Sequence, residues 1–199
     1  MNSFYREDEL ILLGFATIGS NVLLSRKASI YGAGNISIGN NVRIDDFCIL
    51  SGNITLGNYI HIAAYTALYG GSVGIKIDDF SNISSRICIY SVSDDYSGET
   101  MTNPMVPNKY KNMANEPVHI KKHCILGTGC TVLPGVTIEE GGSFGSMTLI
   151  KTDTEPWSIY VGIPARKIRQ RSMSLLELEY KFCKEMEKQI LRGVSFEYV

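Results

Sequence analysis

The chain has 199 residues and a mass of 22.0 kDa, the size of one domain with short appendages. Lys+Arg 19 against Asp+Glu 20 leaves a formal charge of −1, which speaks against a binder built on a strongly basic face, and no nucleic-acid partner is expected. Hydrophobic residues at 44% and charged residues at 20% describe a chain that buries a core. No apolar run approaches the ~20 residues of a membrane helix, and MNSFYREDEL lacks the basic and apolar regions of a signal peptide, so a cytoplasmic protein without a membrane partner is expected. Five cysteines without a C-x-x-C pair argue against a disulfide framework or a zinc ribbon.

In chain order, Ser3, the acidic residues behind it, Leu10 to Leu13 and Gly14 predict a short helix within an N-terminal cap over 1–15. A six-residue period then begins. Ile18, Leu24 and Ile30 are followed by Ile38, Ile44, Leu50, Leu56, Ile62 and Leu68, then Ile77, Ile83 and Ile89, then Ile120, Leu126, Val132, Ile138, Phe144 and Ile150. Seventeen of these 18 positions are Ile, Leu or Val, although those residues make up only 49 of the 199. A small or β-branched residue recurs four places later, as at Val22, Ala28, Val42, Cys48, Ile60, Thr66, Ser81, Cys124, Cys130 and Thr148. Two inward positions per hexad suit short strands joined by bends, and three hexads make one coil of a stacked solenoid. Cys48, Cys124 and Cys130 fall on inward positions, where a thiol is a small apolar group.

Breaks in the period locate insertions: two residues after Ile30, three after Leu68, and 25 after Ile89. The last makes a long loop over 90–117, with Pro104, Pro107 and Pro117, inside a solenoid spanning 16–153. In the tail, 154–199, Ser174-Leu175-Leu176-Glu177 has the form of a capping box. Leu175, Leu178, Phe182, Met186 and Ile190 follow at helical spacing, with Gly193 placed to close the helix.

The hexads resemble those of the hexapeptide-repeat acyltransferases. PVHIKKHCILGTGCTVLPGVTI followed by YVGIPARKIR is similar to the end of the galactoside and maltose O-acetyltransferases. The resemblance implies an all-β solenoid, a left-handed parallel β-helix with a protruding loop and a C-terminal α-helix. It also implies a homotrimer that uses acetyl-coenzyme A in grooves between subunits, with no metal. By the same motifs, Thr128, Gly145 and Ser146 stand where relatives contact the pantetheine arm. Lys151 lies in a turn whose Lys151-Thr152 order reverses the usual one. Arg166, Lys167 and Arg169, with Arg171, form a basic run suited to nucleotide phosphates.

Acyl transfer to a hydroxyl needs a base. Relatives carry a His at the start of the long loop; here Asp94 occupies that place, next to Asp95. The other candidate base is His61, which alternation turns outward between Ile60 and Ile62, in one column with Arg43 and Asn82. Tyr65, Tyr69, Tyr90 and Tyr96 cluster in sequence around these candidates. The expected acceptor-binding set is therefore Asn82, Tyr65, Tyr90 and Asp95. His119 and His123 read as exposed histidines. The leading expectation is acetyl transfer from acetyl-CoA to a sugar hydroxyl. The alternatives are an amino-sugar acceptor, for which a carboxylate suffices, a silent trimeric scaffold, or a metal-dependent trimer of the γ-carbonic anhydrase kind.

Overall fold

The computed structural model describes residues 3–191, which form a left-handed parallel β-helix with one long loop and a helix at each end. Each hexad is a short strand followed by a bend, and the strands pile into three walls. On the first wall Ile18, Ile38, Leu56, Ile77, Ile120 and Ile138 are register partners in succession. Leu24, Ile44, Ile62, Ile83, Leu126 and Phe144 do the same on the second. Ile30, Leu50, Leu68, Ile89, Val132 and Ile150 complete the third. All of these except the half-buried Ile18 and Ile30 are buried, each contributing about 1.5–3 kcal/mol. Cys48, Cys124 and Cys130 are buried among them; burial pushes the Cys48 thiol up to about 11 and that of Cys124 up to about 12.

The bends have a rule of their own. After each inward aliphatic of the first two walls except Leu24, the residue three places on adopts the left-handed conformation, at φ from 52° to 64° for Asn21, Asn41, Phe47, Tyr59, Tyr65, Phe80, Arg86, His123 and Met147. That conformation costs a bulky residue on the order of 1–2 kcal/mol. Stacking between coils offsets it: Tyr59 lies on Phe80 with ring centroids 4.8 Å apart, and Phe80 lies on His123 at 5.3 Å. Beside them, Asn40, Asn58 and Asp79 each accept a hydrogen bond from a backbone N–H of the preceding coil.

The insertions fall where the period breaks. The two residues after Ile30 are absorbed by a short 3₁₀ turn, Ala33–Asn35. The three after Leu68 lie in the long strand Ala67–Ile77, which rounds a corner at Gly70, where a Cβ would sit 2.0 Å from the Asn53 carbonyl. The long loop leaves the fourth coil from the corner between third and first walls. Its ends are pinned together by an antiparallel pair, Val92–Ser93 with Ala114–Asn115.

The helix α1, Glu7–Leu12, begins after Arg6 rather than at Ser3, because the Ser3 carbonyl is engaged by Arg26 N–H and Phe4 bridges to Ser25. Its Leu10 is buried against the first coil. Beyond Ile150, strand Ser158–Val161 adds a seventh rung to the second wall, with Tyr160 stacked on Phe144 at 5.2 Å, and Arg166–Gln170 returns antiparallel to it. The helix α2, Leu175–Leu191, starts where expected, although the Ser174 hydroxyl engages Ser172. Phe182 packs edge-on against Tyr59, while Leu178 of the expected stripe remains 64% exposed. Gly193 and the side chain of Ile190 lie outside the described residues.

Candidate active site

The second wall presents an outward column in which Leu23, Arg43, His61, Asn82 and Ile125 are successive register partners. His61 and Asn82, predicted as neighbours, touch: Nδ1 lies 3.2 Å from Asn82 Oδ1, and Nε2 lies 2.8 Å from Asp45 Oδ2. Arg43 Nε donates to the other oxygen of Asp45 at 2.7 Å. Burial alone would raise the Asp45 carboxyl; the bonds from His61 and Arg43 outweigh it and hold the carboxyl below its ordinary value. Both ring nitrogens of His61 are therefore engaged, Nε2 by the Asp45 carboxylate and Nδ1 by the Asn82 side-chain oxygen.

The corner between second and third walls is built differently. In successive coils it carries Asp45-Asp46, Ala63-Ala64, Ser84-Ser85, Gly127-Thr128 and Gly145-Ser146. Their backbones interlock through Asp45 N–H to Ile62 O (2.9 Å), Ala63 N–H to Ile83 O (2.9 Å), Ser84 N–H to Leu126 O (3.1 Å) and Gly127 N–H to Phe144 O (2.8 Å). From the third to the sixth coil no large side chain stands at these two positions, which leaves a narrow track along the corner. Any side chain at Gly127 would force the coil above to shift, since a Cβ there would lie 2.6 Å from the Ser146 nitrogen. Thr128 and Ser146 are exposed at this edge and Gly145 is half-buried. Ser84, half-buried in the middle of the track, was not among the expected site residues. Its signal is its place in the hexad, one residue after Ile83, which is the column of Gly127 and Gly145.

The other expected residues lie elsewhere on the same coils. Asp94 is half-buried at the root of the loop, and among the described residues no donor engages its carboxylate. Asp95 accepts hydrogen bonds from Ser97 N–H (2.8 Å), Thr100 N–H (3.0 Å) and Thr100 Oγ1 (2.8 Å). Those bonds, led by Ser97, lower its carboxyl to about 2 and make it the fastener of the loop's first turn. Tyr90 stacks on Tyr69 with centroids 5.2 Å apart on the outer face of the third wall; burial, with Cys88 beside it, pushes its phenol up to about 12. Tyr65 stacks on Phe47 at 4.9 Å on the second-to-third corner.

Among the expected cofactor cations, Arg166 and Arg169 are exposed on the strand paired with the topmost rung, Lys151 is exposed just after Ile150 at the corner between third and first walls, and Lys167 pairs with Glu155 at 2.5 Å. Arg171 turns inward instead, its Nη1 donating to the carbonyls of His123 (2.7 Å) and Gly141 (3.0 Å). His123 is not exposed: α2 folds over it, Glu179 bonds its Nε2 at 2.8 Å, and it is only 6% accessible. His119 is half-buried and bonded to Asp78 at 2.7 Å. Among the described residues no three His, Cys, Asp or Glu side chains converge as a metal site. No described helix is long and apolar enough to cross a membrane.

No family model matches the chain. The dTDP-4-amino-4,6-dideoxy-D-glucose acyltransferase of Escherichia coli is 48% identical over 183 residues, covering 90% of this chain and 95% of that one. The crystal structure of AntD, an N-acyltransferase from Bacillus cereus, in complex with dTDP and 3-hydroxybutyryl-CoA is 55% identical, covers 94% of this chain and 100% of its own, and superposes with a TM-score of 0.92. AntD was also crystallised as S84A, with dTDP-4-amino-4,6-dideoxyglucose and coenzyme A, and as D94N, with dTDP and coenzyme A. A hexapeptide-repeat acetyltransferase of Vibrio cholerae O1 biovar eltor, complexed with acetyl coenzyme A, shares the fold at a TM-score of 0.62 and 17% identity, over 86% of this chain and 81% of its own. With its hexad walls, its glycine-lined corner and relatives of this extent, the chain belongs to the hexapeptide-repeat acyltransferases and is an acyl-CoA-dependent acyltransferase.

Proposed function

We propose that the protein transfers an acyl group from acyl-CoA to the amino group of a dTDP-amino-sugar, forming an amide. The amine replaces the sugar hydroxyl of the leading sequence expectation. The observation that carries this reading is Asp94: an unpaired carboxylate at the place where hydroxyl-acylating relatives carry histidine. A carboxylate is a poor base for a hydroxyl. It suffices for an amine, which is itself the better nucleophile and whose proton becomes acidic once nitrogen has attacked the thioester carbonyl. Nitrogen bonds to that carbon, the C–S bond breaks, coenzyme A leaves as thiolate, and the nitrogen's surplus proton passes to Asp94. Similarity to the Escherichia coli and Bacillus cereus acyltransferases supports the same acceptor class. AntD was varied at Ser84 and Asp94, and this chain carries the same residue types at those two numbers.

The proposed site spans two subunits of a homotrimer. Ser84 and Asp94 both belong to the fourth coil, but the third wall separates them, about 20 Å of extended chain at ~3.3 Å per residue. If the solenoids stand parallel around a threefold axis, both residues keep the same height, so one subunit's Asp94 can face its neighbour's Ser84. In this arrangement the pantetheine arm lies along Gly127, Thr128, Gly145 and Ser146, with Arg166, Lys167, Arg169 and Lys151 near its nucleotide. The Ser84 hydroxyl meets the thioester. His61, held at both nitrogens, orients Asn82 towards the acceptor, and Tyr65 and Tyr90 border the cleft. Asp95 serves by fixing the backbone beside Asp94.

The direct test is to incubate the protein with acetyl-CoA or 3-hydroxybutyryl-CoA and dTDP-4-amino-4,6-dideoxyglucose, following thiol release and product mass. Amide product is expected with the amino sugar and none with its 4-hydroxy counterpart; turnover of the hydroxyl compound alone would overturn the assignment.

A further inference from the structure

The second-to-third corner changes character below the fourth coil. Three places after the inward aliphatic this corner carries Lys27, Phe47, Tyr65 and Arg86 on the first four coils, the last three of them left-handed, where the fifth has Gly129. Phe47 and Tyr65 are 47% and 57% exposed, unusual for two stacked rings, and their planes lie within 24° of parallel. Lys27 Nζ stands 5.4 Å from the Phe47 centroid and closes that end of the stack while paired with Asp46. The other end is open: among the described residues no ring but Phe47 stacks on Tyr65, and no cation lies over it. Arg86, one coil further and exposed, takes part in no ion pair among the described residues.

We infer that the open face of Tyr65, backed by Phe47 and flanked by Arg86, seats the nucleotide of the acceptor, the pyrimidine on the ring and the diphosphate against the guanidinium. This rests on the reading that the acceptor is a dTDP-amino-sugar. Adjacent coils are ~4.8 Å apart, so a base on Tyr65 lies within one coil of Arg86 and of Ser84. A planar base gains from a rigid aromatic platform, and a diphosphate from a guanidinium with free donors. The arrangement also divides one corner between two substrates. Coenzyme A occupies the small-residue track from the fifth coil upward, the acceptor nucleotide occupies the aromatic stretch below, and their reacting ends meet at the fourth.

The test is titration calorimetry of the full-length protein with dTDP, with thymidine and with coenzyme A. Tyr65→Ala should weaken dTDP and thymidine alike, at least tenfold, while Tyr65→Phe binds as the wild type does. Arg86→Gln should weaken dTDP at least tenfold and thymidine less than twofold. Coenzyme A affinity should stay within twofold in all three. Unchanged dTDP affinity in both Tyr65→Ala and Arg86→Gln overturns the assignment, as does a shift of oligomer mass on light scattering in Tyr65→Ala, which would make the stack a contact between copies. A wild-type protein that acylates dTDP-amino-sugars while these variants keep the wild-type KM for the acceptor refutes the seat alone. A wild-type protein that neither binds dTDP nor acylates such sugars refutes the acceptor reading and the seat with it.

Discussion

A mixed-subunit experiment tests the shared site most sharply. Ser84→Tyr places a ring in the track where the thioester must lie, and Asp94→Asn removes the carboxylate from the loop. The first is sterically tolerable because the same column holds Asp45 two coils below and Val161 at the top. Each variant alone should lose activity on the order of a hundredfold, the usual worth of a positioned proton acceptor or an aligned substrate. If one site takes Ser84 from one subunit and Asp94 from its neighbour, a trimer assembled at random from equal amounts of the two variants has some intact sites. An interface works when the chain supplying the corner carries Ser84 and the chain supplying the loop carries Asp94, which is about one interface in four. Co-expression from differently tagged genes, tandem affinity purification and a thiol-release assay measure this directly. Recovery near a quarter of wild-type activity is expected before tag selection. The geometric reasoning fails if mixed trimers are no more active than the parental variants. It also fails if the double variant mixed with wild type keeps about half of wild-type activity, because a shared site leaves about a quarter there too, whereas a site within one chain leaves a half.

Three further outcomes follow from the fold and the track. Ile62→Ala removes a side chain with no accessible surface from the stacked second wall and should cost about 2–5 kcal/mol, read as a lower midpoint in urea with an unchanged slope. Gly127→Ala drives a methyl group into the backbone of the coil above and should cost about 1–3 kcal/mol while raising the KM for acyl-CoA more than that for the acceptor. Asp95 has a carboxyl lowered to about 2 in the folded loop against about 3.9 in an unfolded chain, so its contribution is complete above pH 4 and is lost as pH falls through 2. The amide resonances of Ser97 and Thr100 should titrate with that midpoint, and Asp95→Asn should abolish the transition; a midpoint near 4 would show the turn bonds to be weak.

How far the residues spoke for themselves varied along the chain. The period of six was legible because inward positions of a solenoid meet only one another, coil upon coil, so all 18 hexad positions obey one local rule and found their register partners. The rung at Tyr160 was not legible, since its step from Phe144 is 16 residues and an aromatic replaces the aliphatic. The corner conformation was hidden for the opposite reason. Left-handed backbone usually announces itself as glycine, but here Phe47, Tyr65, Phe80 and Arg86 adopt it, supported by neighbours one coil away. His61 beside Asn82 could be read from alternation. Asp45, the acid that orients His61, could not, because that contact joins two walls' worth of chain across a bend.

By itself the sequence settled the fold and the family-level chemistry, because a repeat writes its tertiary contacts into local spacing and a glycine-threonine track needs no distant partner to be recognised. Which groups are spent on structure was decided only in three dimensions. α2 returns over His123 and buries it, Arg171 turns inward to two carbonyls, and Asp95 closes its own turn, while Asp94 one residue earlier keeps its carboxylate unpaired. The physical reason is that the chemical reactivity of a charged side chain depends on which donors surround it, and in this molecule those donors come from segments with no periodic relation to the residue they serve.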